Sequence, residues 1–154
     1  MRQTEVLHEL SEHRVMRAAA WPGSARSLSR LAQSGQVVRL LPGIYVLAED
    51  ASDPQIRCLA LMAWDPDAVI TGMMAAKLTY WPEALPGVIE FHSTRKKWAP
   101  RGFRLHRSSV PAADIVESYG IRVTRVARTA LHLSRDDEGI AIDEAFRRTR
   151  LRPI

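Results

Sequence analysis

Arg26, Ser27, Ser29, Arg30 and Gln33 lie within nine consecutive residues, interleaved with Ala25, Leu28, Leu31 and Ala32 at i, i+3, i+6 and i+7. That interleaving predicts a helix with an apolar side and a polar side. The polar side has the chemistry of a major-groove reader. Arg can take guanine O6 and N7 together, Gln can pair with adenine N6 and N7, and Ser can bind bases or phosphates. Ser24 is placed to cap this helix and to position a nucleic-acid backbone, and Gly35 to end it. Arg39, on the β-rich run that follows, suits the sugar-phosphate backbone.

A second basic group, Arg95-Lys96-Lys97-Trp98 with Arg101 and Arg107, surrounds an aromatic in a Pro- and Gly-flanked loop. This is the composition of a phosphate contact or an RNA-stacking surface, and equally of an exposed hairpin tip. Arg125 and Arg128 stand one helical turn apart at a predicted helix start. They suit carboxylate or phosphate binding, with a structural ion pair to Asp114 or Asp143 the simpler reading. The five histidines, His8, His13, His92, His106 and His132, include no pair at i, i+4 beside a carboxylate, so they read as surface or structural residues with no metal expected. Glu90-Phe91-His92 lacks the lysine and the upstream Asp of a nuclease strand. No phosphate-cradling glycine loop, nucleophile elbow or paired-carboxylate motif occurs, and the expectation is a non-enzymatic protein without cofactor.

The elements that must carry these residues follow from periodicity. Thr4 is a candidate cap for a helix with Val6, Leu7 and Leu10 inward, and a second short helix is predicted from Arg14 to Ala19. After the break at Trp21-Pro22-Gly23 comes the Arg26–Gln33 helix, then two strands, Val37–Leu41 and Ile44–Leu47. Pro42-Gly43 joins them with the composition of a type II turn. Three helices and a tight hairpin are the order of a winged helix-turn-helix, expected over residues 1–50. The boundary is placed in the polar stretch Ala48 to Asp53, with Asp53-Pro54 starting the next helix. Residues 51–154 read as a small mixed sheet flanked by helices. Strands are predicted at Val69-Ile70, Val88–His92, Phe103–Arg107 and Ile121–Val123, and helices from Gly72 to Leu78, from Thr124 to Leu133, and from Asp136 or Asp137 to about Arg148. The fold class is therefore α+β.

Charge is segregated along the chain. Residues 1–47 hold six basic and three acidic side chains, 48–94 two and seven, 95–128 nine and two, and 129–154 five and five. Two basic blocks around an acidic one point to a polyanionic partner, because long-range attraction depends on where charge lies. The single cysteine, Cys58, excludes a disulfide framework. The absence of a leading apolar run, and of any stretch near the roughly 20 apolar residues of a membrane span, leads us to expect a cytoplasmic protein with no membrane partner.

Ser27 to Gly35 running into Val38 to Val46 resembles the R-L-x-x-S-G-x-x-x-R-L-x-x-G-x-Y signature of AbiEi-type antitoxins, the transcriptional regulators of type IV toxin-antitoxin systems. Thr71 to Leu78 with its Ala75-Ala76 pair, Phe103 to Arg107, and Val123 to Leu131 are similar to that family's second domain. His132 stands where the Arg-Thr motif is commonly followed by Asp, and Tyr80-Trp81 replaces small residues after the Ala-Ala helix. The resemblance implies a repressor that binds the double-stranded promoter DNA of its own operon through the winged helix. It also implies an antitoxin-like second domain that counters a nucleotidyltransferase toxin functionally rather than through a stable complex. Some relatives continue into a nuclease-like domain. The chain ends at Ile154, so the rival expectation is the targeting portion of a nucleic-acid-processing protein without that domain.

Overall fold

A computed structural model describes residues 1–136 and 138–149. The chain is mixed α and β and divides into two units, Met1–Pro66 and Asp67–Ile154.

In the first unit, helix α1 (Gln3–His13) turns Val6 and Leu10 inward, and the Arg2 backbone N–H donates to the Glu5 carboxylate at 3.0 Å. The helix therefore starts ahead of Thr4, with Arg2 in the cap position. It ends at Arg14, whose φ of +66° turns the chain sharply into β1 (Val15–Arg17). The second helix expected from Arg14 to Ala19 is thus not formed. Val15–Arg17 pairs antiparallel with Ile44–Val46, and only Ala18–Ala20 makes a single 3-10 turn. Pairing captures a segment in which Met16 must point into the core and the β-branched Val15 prefers extended backbone.

Helix α2 (Ala25–Gln33) is followed by β2 (Val37–Leu41) and β3 (Ile44–Leu47), joined at Pro42-Gly43, where Gly43 has a φ of +73° as the type II turn requires. The three-stranded antiparallel sheet has the order β1-β3-β2. Val6, Leu10, Met16, Leu28, Leu31 and Val37 form a core between the helices and the sheet.

Helix α3 (Pro54–Trp64) starts as expected: Asp53 Oδ1 accepts from the backbone N–H groups of Gln55 and Ile56 at 2.9 and 3.2 Å, with Pro54 in the first turn. It buries Ile56, Cys58, Ala60 and Leu61 and packs across all three strands of the first sheet. The first unit therefore runs to Pro66 rather than ending near residue 50. The polar stretch before Asp53 is a helix start within that unit. Burial pushes the Cys58 thiol up to about 12, so it sits there as a small apolar side chain.

The second unit is built on β4 (Val69–Thr71), α4 (Gly72–Thr79), β5 (Ile89–His92), β6 (Phe103–His106), β7 (Ile115–Ser118), β8 (Ile121–Thr124), α5 (Val126–Leu133) and α6 (Ile140–Arg148). Its sheet has the order β6-β5-β4-β8-β7, parallel at β5/β6 and β4/β8 and antiparallel at β4/β5 and β7/β8. Central β4 is buried along its whole length. The small residues Ala76, Ala130, Ala141 and Ala145, with Tyr80 and Leu133, form the core where α4, α5 and α6 meet. Strand β7 is an addition to the sequence reading. Helix α5 takes Arg125 in its cap position while Thr124 is spent on hydrogen bonds to the Thr71 and Thr129 hydroxyls. Asp136 lies ahead of α6, which starts after Gly139, and Asp137 falls outside the described residues. Among the described residues no helix is long and apolar enough to cross a membrane.

Candidate nucleic-acid interface

Helix α2 presents Arg26, Ser29, Arg30 and Gln33 to solvent at i, i+3, i+4 and i+7, a single face opposite the buried Leu28 and Leu31. Among the described residues, none forms an ion pair with Arg26, Arg30 or Arg39. Arg26 and Arg30, with Arg2, line an open groove of about 650 Å³ beside the start of α1. Arg39 is exposed on β2.

Ser27, expected on this face, and Ser24, expected to cap the helix and position the backbone, are turned inward. Ser27 is buried and its hydroxyl donates to the Met1 carbonyl at 2.5 Å. Ser24 is buried too, its Oγ without a partner among the described residues, and it makes no side-chain cap to the helix. The reason is positional: 24, 27, 28 and 31 share one stripe of a helix, so the serines continue inward the line begun by the leucines. Neither hydroxyl is offered to a ligand in this structure.

The second basic block lies wholly in the other unit, and part of it is neutralised. Arg95 Nε meets Asp67 at 2.9 Å, with Arg122 3.8 Å from the same carboxylate. The backbone N–H groups of Arg95 and Lys96 donate to Ser93 Oγ. Lys97, Trp98, Arg101 and Arg107 are exposed. Arg125 and Arg128 both grip Asp114, at 2.7 and 2.8 Å, and Arg128 followed by Arg125 holds its carboxyl below the usual carboxylate range. These two arginines tie the start of α5 to the turn before β7.

Three of the histidines, expected to be surface or structural residues, come together in the second unit. The parallel register sets His92 on β5 beside His106 on β6, with Glu90 two residues earlier on the same face of β5. His132 reaches the same place from α5. Its Nε2 is 3.8 Å from Glu90 Oε1, and His106 Nε2 is 3.0 Å from that oxygen. His92 Nδ1 lies 2.9 Å from Ser108 Oγ. The His132 imidazole, with His106 beside it, holds the Glu90 carboxyl down at about 2 against the opposing effect of burial. Burial, then the neighbouring His106, Arg128 and His132, pushes His92 down to about 4, so its ring is neutral at pH 7. Sequence spacing could not disclose this cluster, because its members are joined by strand register and by a helix that folds back over 40 residues later. The available signal was only the alternation Glu90/His92 and Arg104/His106 on two predicted strands. Comparison of the sequence with models of protein families returns no match, and comparison with curated proteins returns none either.

Proposed function

We propose that the protein is a cytoplasmic, sequence-specific DNA-binding repressor whose first unit acts as a winged helix-turn-helix. In this reading α2 enters the major groove, and the β2–β3 hairpin is the wing. The observation that carries it is the exposed face of α2, where two arginines and a glutamine stand at groove-compatible spacing with no described acidic partner. Packing supports it as well: α2 lies against β2, the first strand of the hairpin, while the helix expected before the reader is replaced by β1 and the 3-10 turn at Ala18–Ala20. Arg26, Arg30 and Gln33 read bases and Arg39 meets the backbone. Lys96, Lys97 and Arg101 of the second unit add affinity for phosphate, or for RNA stacked on Trp98. The resemblance to AbiEi-type antitoxins extends the proposal: the DNA is the promoter of the protein's own operon, and the second unit counters a nucleotidyltransferase toxin without itself being an enzyme.

Fluorescence anisotropy on the upstream DNA and on random DNA, at two salt concentrations, tests the reading. Neutralising about four to six phosphates gives a log-log salt slope of roughly −4 to −5. Arg30→Ala should cost about 1–3 kcal/mol on the specific site and little on random DNA. Lys96→Ala should weaken both about equally and reduce the slope by about one. An unchanged specificity ratio in Arg30→Ala removes α2 as the reader.

A further inference from the structure

Glu90, His106 and His132 each place one potential ligand atom within 4.8 Å of the other two. Two imidazoles thus face one carboxylate oxygen, at 3.0 and 3.8 Å. A hydrogen bond accounts for the first distance, while the second is too long for one. Around a four-coordinate zinc-class ion with bonds of about 2.0–2.1 Å, neighbouring donors stand about 3.3 Å apart, between the two observed separations. From these observations we infer that Glu90, His106 and His132 form a binding site for a divalent transition-metal ion of the zinc class.

The donor set selects the metal class. Two imidazoles and one carboxylate suit Zn(II) and its first-row neighbours, whereas Mg(II) and Ca(II) require mainly oxygen ligands. The scaffold is rigid, since two donors stand on paired parallel strands and the third on α5. Gly72 supports it from below: its φ is +67°, and a Cβ added there would overlap the Glu90 carboxylate. The residue therefore leaves Glu90 the space it occupies. Arg104 approaches the same oxygen at 3.5 Å but is 63% exposed, so an incoming cation can displace it into water.

Three protein ligands leave a coordination position, and a cavity of about 360 Å³ adjoins His106 and His132, lined also by Thr71, His92, Ser108, Arg128 and Arg135. The two arginines suit water or a small anion as the remaining ligand. This site lies wholly in the second unit and stands or falls separately from DNA binding by the first.

The test uses the full chain, stripped with chelator and titrated with Co(II), whose visible d–d bands are intense in four-coordinate sites. The expected result is saturation at one equivalent, bleaching on addition of Zn(II), and movement of the His106 and His132 ring resonances while those of His8 stay fixed. Glu90→Gln and His132→Ala should each weaken Co(II) binding by more than about a hundredfold, beyond the loss typical of a mere outer-shell change. His13→Ala removes a His–carboxylate pair of the first unit, to Glu9 at 3.4 Å, and should leave binding unchanged. Absence of saturable one-equivalent binding overturns the inference, as does binding lost in His13→Ala and kept in Glu90→Gln. Because the ring resonances are read on the unaltered protein, unmoved His106 and His132 overturn it even where a variant fails to fold.

Discussion

Arg26 occupies the second position of α2, where a cation opposes the helix dipole. No acidic residue stands in that first turn, and Arg30 follows at i+4 with the same charge. The helix tolerates an arrangement that costs stability, which suits the proposed role of this face in meeting an anion. Arg26→Glu should therefore raise stability by about 0.3–1 kcal/mol while losing DNA affinity, a divergence that thermal melting and anisotropy together detect. A loss of both would mean that Arg26 serves the fold. His92 makes a second prediction at this scale. Its pKa is depressed to about 4 from the ordinary 6.5, so between these values the unfolded chain binds the proton and the folded chain resists it. Stability is fully present above about pH 6.5 and falls as pH drops toward 4. His92→Gln should flatten the dependence of melting temperature on pH across this window.

Helix α3 shows how an element can be read correctly and assigned to the wrong neighbour. Asp53-Pro54 announces its start, and the apolar stripe announces a buried face, but nothing local says which sheet that face covers. It covers the first, so a fragment of residues 1–66 should unfold cooperatively in denaturant. One of residues 1–50 should not, because it exposes Leu41, Ile44 and Val46 from the core. A cooperative transition in the shorter fragment would show α3 to be dispensable. The other elements sort by the same logic. The Pro42-Gly43 hairpin and the Ile89, Phe103 and Ile121 strands were legible because turn chemistry and alternation are local. β1 was not, since its three residues become a strand only through Ile44–Val46, nearly thirty positions later. β7 was missed because it is an edge strand with Val116 and Glu117 exposed, leaving no alternating pattern to find. At the candidate interface, Arg26, Arg30, Gln33 and Arg39 lie on exposed faces, whereas Ser24 and Ser27 were not separable from them by residue type. The histidine cluster depends on a register that local periodicity cannot supply.

On the scale of the whole chain, net charge and the proposed DNA-reading helix reside in different units. With its boundary at Pro66, the first unit carries seven basic and seven acidic residues, and the net positive charge of the protein belongs to the second. Any affinity of the first unit for DNA must then come from where its arginines stand. The two units also differ in how their sheets are closed. The β2–β3 hairpin joins neighbours in sequence, but the centre of the second sheet pairs Ile70 with Val123, so β4 waits for more than 50 intervening residues before it gains its parallel partner. Loop closure over such a span comes before any reward from the contact, and refolding slows accordingly. Stopped-flow refolding should resolve two phases, the faster reporting Trp21 and the slower Trp81, as single-tryptophan variants would show. A chain leaving the ribosome would by the same reasoning have its first unit folded while β4 and β5 of the second still lacked β8, and that interval is when their unpaired edges would be open to association with other chains.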